Sequence, residues 1–314
     1  MGLFREILNG ILLPSEYLLT KYLTKKQSYP PIYIVGSPRS GSTLLMQVMV
    51  QYFKLGYISN LSCNFYRVPI VGSYLDRLIS REQKVSNFNS NYGVTKGLSE
   101  PSEAADYWYS WFINRQDVNQ SAREISKERL SGLYRQSRAM SAAQKMSYVH
   151  KNLYNSIRIK ALATADPESL FIVISRDILI TAYSIYTARL KQNPDVNSWW
   201  SVPPKNVKDL LGTDLQVQAV NQVYYIYKQI LAEVEKYCKN RYYLIRYEEL
   251  CQNPGDTMIK FKDWAAERGL HLNQRGIVLP QLNISTGQKM DPVMVRVMEQ
   301  TLHELKLKEG DPLG

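Results

Sequence analysis

The stretch Ile32–Leu45 restricts what this chain can fold into more than any other. It reads Ile-Tyr-Ile-Val, then Gly36, Ser37, Pro38, Arg39, Ser40, Gly41, Ser42 and Thr43, then Leu44 and Leu45. The β-branched and aromatic run at 32–35 predicts a short strand, and Leu44, Leu45, Val48 and Met49 repeat at helical spacing. A strand that turns through glycines into a helix points successive backbone N–H groups at one place, with the positive end of the helix dipole behind them. The local recipe is an anion cradle. In an α/β sheet such cradles sit at the carboxyl ends of the strands.

A nucleoside triphosphate loop carries glycine, four residues, glycine, lysine and a hydroxyl residue. Gly36 and Gly41 keep that spacing, but Ser42 stands in the lysine position, and the cation inside the turn is Arg39. Such a loop suits a different phosphate ester. Ser37-Pro38-Arg39-Ser40-Gly41-Ser42-Thr43 resembles the 5′-phosphosulfate loop of the sulfotransferases that use PAPS (3′-phosphoadenosine 5′-phosphosulfate), whose pattern is Pro, Lys or Arg, Ser, Gly, Thr or Ser, Thr.

Three later segments resemble the same family, in the same order. Ile174-Ser175-Arg176-Asp177, with Ser184 eight residues after the arginine, is similar to the family's 3′-phosphate site, although Ile178 replaces its proline. Read alone, an arginine at a strand end and a hydroxyl in the next helix can grip one phosphate from two sides, and an ordinary helix-capping ion pair is the plainer alternative. Ile245-Arg246-Tyr247-Glu248-Glu249-Leu250 with Asn253-Pro254 resembles a segment that locks a strand end beside the nucleotide. Ser285-Thr286-Gly287-Gln288-Lys289 resembles the loop that closes over the cofactor. The matches extend from about residue 30 to about residue 290.

The resemblance implies in-line transfer of a sulfuryl group from PAPS to an acceptor hydroxyl, leaving PAP, with no metal. Ser37, Arg39, Ser40, Gly41, Ser42 and Thr43 would hold the 5′-phosphate, and Arg176 and Ser184 the 3′-phosphate. Lys289 would meet a phosphate, with a solvated loop lysine as the alternative. Arg39 would also offset the charge growing on the leaving oxygen. The acceptor needs a base. No histidine sits in a motif, so Glu103 is the first choice and Glu100 the second, with a solvated helix-start glutamate as the competing reading. Lys151 would face the sulfuryl oxygens; if it does, strand alternation turns its neighbour His150 away. Trp108, Tyr109, Trp111, Trp199 and Trp200 either line an acceptor cleft or pack in the core. Aromatic residues and basic charge favour a hydroxyl on a carbohydrate or glycolipid, ahead of a small alcohol or phenol.

The formal charge of +11 calls for a polyanionic partner, which a nucleotide cofactor satisfies only in part. No run of Lys and Arg with interleaved aromatics reads as a nucleic-acid stripe, so no nucleic acid is expected. Cys63, Cys238 and Cys251 are too scattered for a disulfide framework, and His150, His271 and His303 have no metal-ligand spacing. No apolar run approaches the roughly 20 residues of a membrane span, and the N-terminus has no secretory pattern, so a cytoplasmic enzyme is expected. A peripheral membrane contact stays open through residues 1–13, where Leu3, Phe4, Ile7, Leu8, Ile11 and Leu12 form one helical stripe ahead of Pro14, Lys21, Lys25 and Lys26. The favoured reading packs that stripe on its own domain and ends the helix at Pro14. A P-loop kinase or NTPase and a non-catalytic polyanion-binding protein are the competing functions.

Alternating strands and helices predict one α/β domain over 1–314: a helical extension at 1–28 and a core at 30–300. The fold expected is P-loop-like and doubly wound, a mainly parallel central sheet with helices on both faces. Strands are predicted at 170–174 and 242–245, and helices at 182–190 and 215–237. Residues 56–100 read as largely irregular, and 115–147 as a solvated helical excursion.

Overall fold

The computed structural model describes residues 2–79, 88, 90–91, 94–112, 125–284 and 290–313. The chain opens with α1 (Gly2–Leu23) and enters the sheet at β1 (Ile32–Val35), which the glycine turn joins to α2 (Ser42–Tyr52). α3 (Pro69–Ile79), the hairpin of β2 (Ser90–Asn91) and β3 (Val94–Thr95), α4 (Ala105–Trp111) and α5 (Lys127–Gln144) then lead to β4 (Val149–Lys151). α6 (Ile159–Ala165), β5 (Leu170–Ser175), α7 (Ile178–Gln192) and the short α8 (Val207–Leu210) follow. α9 (Leu215–Tyr237) precedes β6 (Tyr242–Arg246), α10 (Tyr247–Gln252), α11 (Pro254–Ala266) and α12 (Pro292–Glu309).

β4, β1, β5 and β6 form a parallel sheet in that order. Ile32 lies level with Val149 on one side and Leu170 on the other, and Val173 lies level with Leu244. From β1 the chain goes first to one neighbour and then to the other, so the sheet reverses its winding beside β1 and leaves a crevice there. Tyr33, Val35, Phe171 and Val173 point into one core, with side chains of α5, α6, α7 and α9. Ile32, Ile34, Ile172 and Ile174 point into the other, against α2, α10 and α11. Both faces are covered, which is why β5 reads as an unbroken apolar run rather than an alternating one. Each of its buried aliphatic side chains contributes roughly 2 kcal/mol before ordering costs.

The fold is the doubly wound, P-loop-like arrangement that the sequence predicts. Three segments differ from expectation. α3 occupies part of the stretch read as irregular. α5 is half-buried rather than solvated, with Leu133, Ala139 and Met140 in the core.

The third difference is α1, which continues past Pro14 to Leu23. Pro14 and Gly10, four residues earlier, both lie on the exposed side, where water can satisfy the Gly10 carbonyl that the proline leaves without its helical donor. The apolar stripe faces solvent: Leu3, Phe4, Ile7 and Ile11 are all exposed. Leu19 and Leu23 at its C-terminal end pack on the core, and in its earlier turns polar side chains face inward. Asn9 donates to the Asn64 carbonyl (2.9 Å) and accepts from the Arg67 amide (3.0 Å). The Glu16 carboxylate accepts from the amides of Ile70 and Val71 (3.1 Å each), covering donors that the first turn of α3 leaves without partners. Burial pushes the Glu16 carboxyl up to about 7.

Candidate active site

The turn between β1 and α2 is a strained, close-packed nest. Arg39 has φ 67° and Gly41 φ 91°, so left-handed residues alternate with others and the intervening amides converge. Gly36 is required by contact: a Cβ there would come within 2.8 Å of the Ile174 carbonyl oxygen and of Ser40 Oγ. At Gly41 a Cβ would occupy the same space as the ring of Tyr247. Ser156 pins the start of the turn, accepting from the Gly36 amide and donating to its carbonyl (2.9 Å each).

Arg176 leaves the end of β5 and reaches the same turn. One guanidinium nitrogen donates to the Arg39 carbonyl (3.2 Å), and its carbon lies 4.4 Å from the Tyr247 ring centroid, a cation–π contact. Its backbone amide donates to the phenol of Tyr227 (3.2 Å), whose burial raises it well above its ordinary value. Asp177 caps α7 by accepting from the Ile180 amide (2.8 Å), while its own amide donates to Glu248 (3.3 Å). The capping reading and the phosphate-site reading are therefore compatible, since Asp177 makes the cap and leaves the arginine to the cleft. Arg39 Nε donates to Ser184 Oγ on α7 (3.0 Å), tying the glycine turn to the second segment.

On the opposite wall Lys151 and Glu103 form an ion pair. Lys151 ends β4 and is almost wholly buried, whereas Glu103 keeps part of its surface open. Asn152 holds the backbone of Glu103 by donating to its carbonyl (3.1 Å), and Ala104 next to it has φ 47°, a conformation that an L-residue adopts only under constraint. His150 points to the opposite side. Its ring stacks on Tyr33 (5.6 Å) and Tyr148 (5.8 Å) and meets Trp108 edge-on (5.2 Å), and burial pulls its imidazole down to about 3.

These walls enclose a cavity of about 530 Å³. Arg39, Gly41, Ser42, Thr43, Arg176 and Ser184 line one side of it, and Glu103 and Lys151 the other. The side chains of Ser37 and Ser40 are buried beneath the turn and do not line it. Glu100 accepts from Gln47 (3.2 Å) and is likewise outside the lining. Lys289, with the rest of 285–289, lies outside the described residues. Of the five aromatic candidates, Trp200 lines the cleft. Trp108 is core, Trp111 packs against Gly132, Tyr109 faces the Arg158 guanidinium and Trp199 faces that of Arg189. Sequence reasoning missed Phe88, Leu153 and the 280–283 stretch, which also line the cavity, and the supporting residues Ser156, Asn152 and Tyr227. No local motif marks any of them.

Known proteins point the same way. The curated omega-hydroxy-beta-dihydromenaquinone-9 sulfotransferase Stf3 of Mycobacterium bovis, and the protein of that name in Mycobacterium tuberculosis, are each 23% identical over 249 residues. The alignment covers 72% of this chain and 60% of theirs, so the chain spans about 60% of the length of the curated relatives it matches. Among solved structures, sulfotransferase STF1 from Mycobacterium tuberculosis H37Rv aligns with a TM-score of 0.52 at 13% identity, covering 94% of this chain and 82% of that one. Sulfotransferase STF9 from Mycobacterium avium gives 0.51 at 16% identity, covering 92% and 70%. At such identities these two speak for the fold. Residues 30–265 match the model of the Sulfotransferase family, and with most of its length inside that match the chain belongs to this family.

Proposed function

We propose that this protein transfers the sulfuryl group of PAPS to a hydroxyl carried on a lipid or glycolipid, leaving PAP. The observation that carries the reading is the meeting of Arg39 and Arg176, 137 residues apart, over a turn closed to any side chain at Gly41. Two guanidinium groups and a nest of amides suit a ligand with two separate phosphates. When bound, PAPS supplies an activated sulfuryl group. The amides of the turn, with the hydroxyls of Ser42 and Thr43, would hold the 5′-phosphate, and Arg176 and Ser184 the 3′-phosphate. Arg39 stays charged at any working pH, so it offsets negative charge on the leaving oxygen without donating a proton. Glu103 takes the acceptor's proton, and Lys151 fixes that carboxylate and adds a cation to the wall.

The acceptor class rests on two supports. Leu44, Phe88, Leu153, Trp200 and Leu282 give the cleft an apolar side, and the named substrate of the Stf3 relatives is a hydroxylated menaquinone derivative. A kinase reading lacks its lysine, because Ser42 occupies that position. The test is nucleotide-dependent thermal stabilisation, followed by transfer of radiolabelled sulfate from PAPS to a panel of lipid, glycolipid and phenolic acceptors. PAP is expected to raise the melting temperature. Stabilisation by ATP with Mg²⁺ and none by PAP would refute the proposal.

A further inference from the structure

α1 carries an apolar stripe on the side turned away from its own domain. The side turned toward the protein is centred on Arg5, Asn9 and Glu16, all held by polar contacts, while the solvent side is centred on Phe4, Ile7, Ile11 and Leu18. These positions, with Tyr22, follow one another at intervals of three, four, seven and four residues, which is a single helical stripe. Phe4 is 73% exposed, Ile11 70% and Leu18 65%. The helix is anchored by those polar contacts and by Leu19 and Leu23 on the core, which leaves the separate exposed stripe for something other than its own domain.

The charge around the stripe identifies the occupant. Lys21, Lys25 and Lys26 are exposed at its C-terminal end, with Lys26 lying over the ring of Tyr22 (4.7 Å). Of the two acidic residues of α1, Glu16 is buried and Glu6 accepts from the Tyr66 phenol (2.8 and 2.9 Å). The stripe is thus bordered by cations on a chain of net charge +11. A second copy would bring like charge to the same contact, whereas an anionic lipid surface matches both the apolar band and the lysines. No helix among the described residues is long and apolar enough to cross a membrane, so the contact is with the surface.

We propose that α1 is a membrane-surface helix that seats this protein on an anionic bilayer. Its first turns lie beside the cleft: Arg5 pairs with Asp106 (2.7 Å), three residues after Glu103. A hydroxyl borne by a membrane lipid would then reach the cleft without leaving the bilayer surface. The docking itself is independent of the reaction and stands or falls apart from it.

The test is co-sedimentation of the full chain with vesicles of phosphatidylcholine alone or containing phosphatidylglycerol, at low and high salt. The protein is expected to bind the anionic vesicles and to be released by salt. Phe4→Ser/Ile7→Ser/Ile11→Ser and, separately, Lys21→Glu/Lys25→Glu/Lys26→Glu should each lower the bound fraction roughly tenfold or more, with PAP affinity unchanged. Phe4→Trp should show a blue shift in its added emission when anionic vesicles are supplied. A wild-type chain that stays in the supernatant at low salt, a serine variant that folds and binds like the parent, or an unshifted Phe4→Trp spectrum would overturn the proposal. So would a dimer in sedimentation velocity that the serine variant splits into monomers, which would assign the stripe to a second copy.

Discussion

On the proposed reading, three short runs build the donor side of the cleft, at 36–43 after β1, 176–184 after β5 and at Tyr247 after β6. The acceptor side instead takes Phe88, Glu103, Lys151, Trp200 and Leu282 from five separate parts of the chain. The contrast follows from what each side must do. A nest of amides needs consecutive residues in set backbone conformations, so it leaves a readable string. A wall for an apolar acceptor needs only side chains that meet in space, which any loop can supply. The proposed donor side is thus built from motifs, and the proposed acceptor side from the fold.

The sharpest way to break this division is Glu103→Gln. On the proposed roles kcat falls roughly 100-fold or more, while PAP affinity, measured by calorimetric titration, stays at the parent value. A large loss of PAP affinity would place Glu103 on the donor side. Arg176→Ala should do the reverse, weakening PAP roughly 10- to 100-fold through lost charge-assisted bonds, and equal binding by variant and parent would remove Arg176 from the site.

His150→Phe probes the boundary between the acceptor wall and the core. The unfolded chain takes up a proton at about 6.5 that the folded chain refuses down to about 3, so stability present above pH 6.5 is lost as the pH falls below it. By pH 5 the loss from this group is about 2 kcal/mol. The Glu16 carboxyl, raised to about 7, titrates in the opposite sense over the same range, so the readout is the difference between parent and variant. Urea titrations at pH 5 and 7 should show a stability change about 2 kcal/mol more favourable to low pH in the variant than in the parent. An unchanged pH dependence in His150→Phe would mean that the ring is not the responsible group. The smallest effect belongs to Ser156→Ala, which leaves the Gly36 amide without its acceptor. A cost of about 1 kcal/mol is expected, read as a melting temperature lower by about 2 °C.

Three of the four strands of the sheet, β1, β5 and β6, were legible as apolar or aromatic runs, and α9 and β5 fall where periodicity puts them. β4, Val149-His150-Lys151, has no such run and was not predicted. Arg39 and Arg176 could be paired in advance because their segments resemble the family's two phosphate sites; a position after a strand end alone fits a helix cap equally well. Other features depend on packing that no short window contains. Ser156 and Asn152 look like ordinary residues of a tight turn until the fold sets them against Gly36 and Glu103. Trp108 and Trp111 share a short helix with Tyr109, and which of their faces meets the cleft is decided by β4 and α5, not by spacing. The outward face of α1 was misjudged for a related reason. Apolar periodicity marks a face to be covered, but the covering partner need not be the rest of the chain.

Arg39 holds a left-handed backbone with a bulky side chain, at φ 67°. Glycine would occupy that conformation without the steric cost of about 1–2 kcal/mol, so selection for heat tolerance alone has little reason to keep arginine there. Retaining it would then be the signature of catalysis working against robustness. Laboratory evolution under thermal pressure, with activity left unscreened, should lose this cation early.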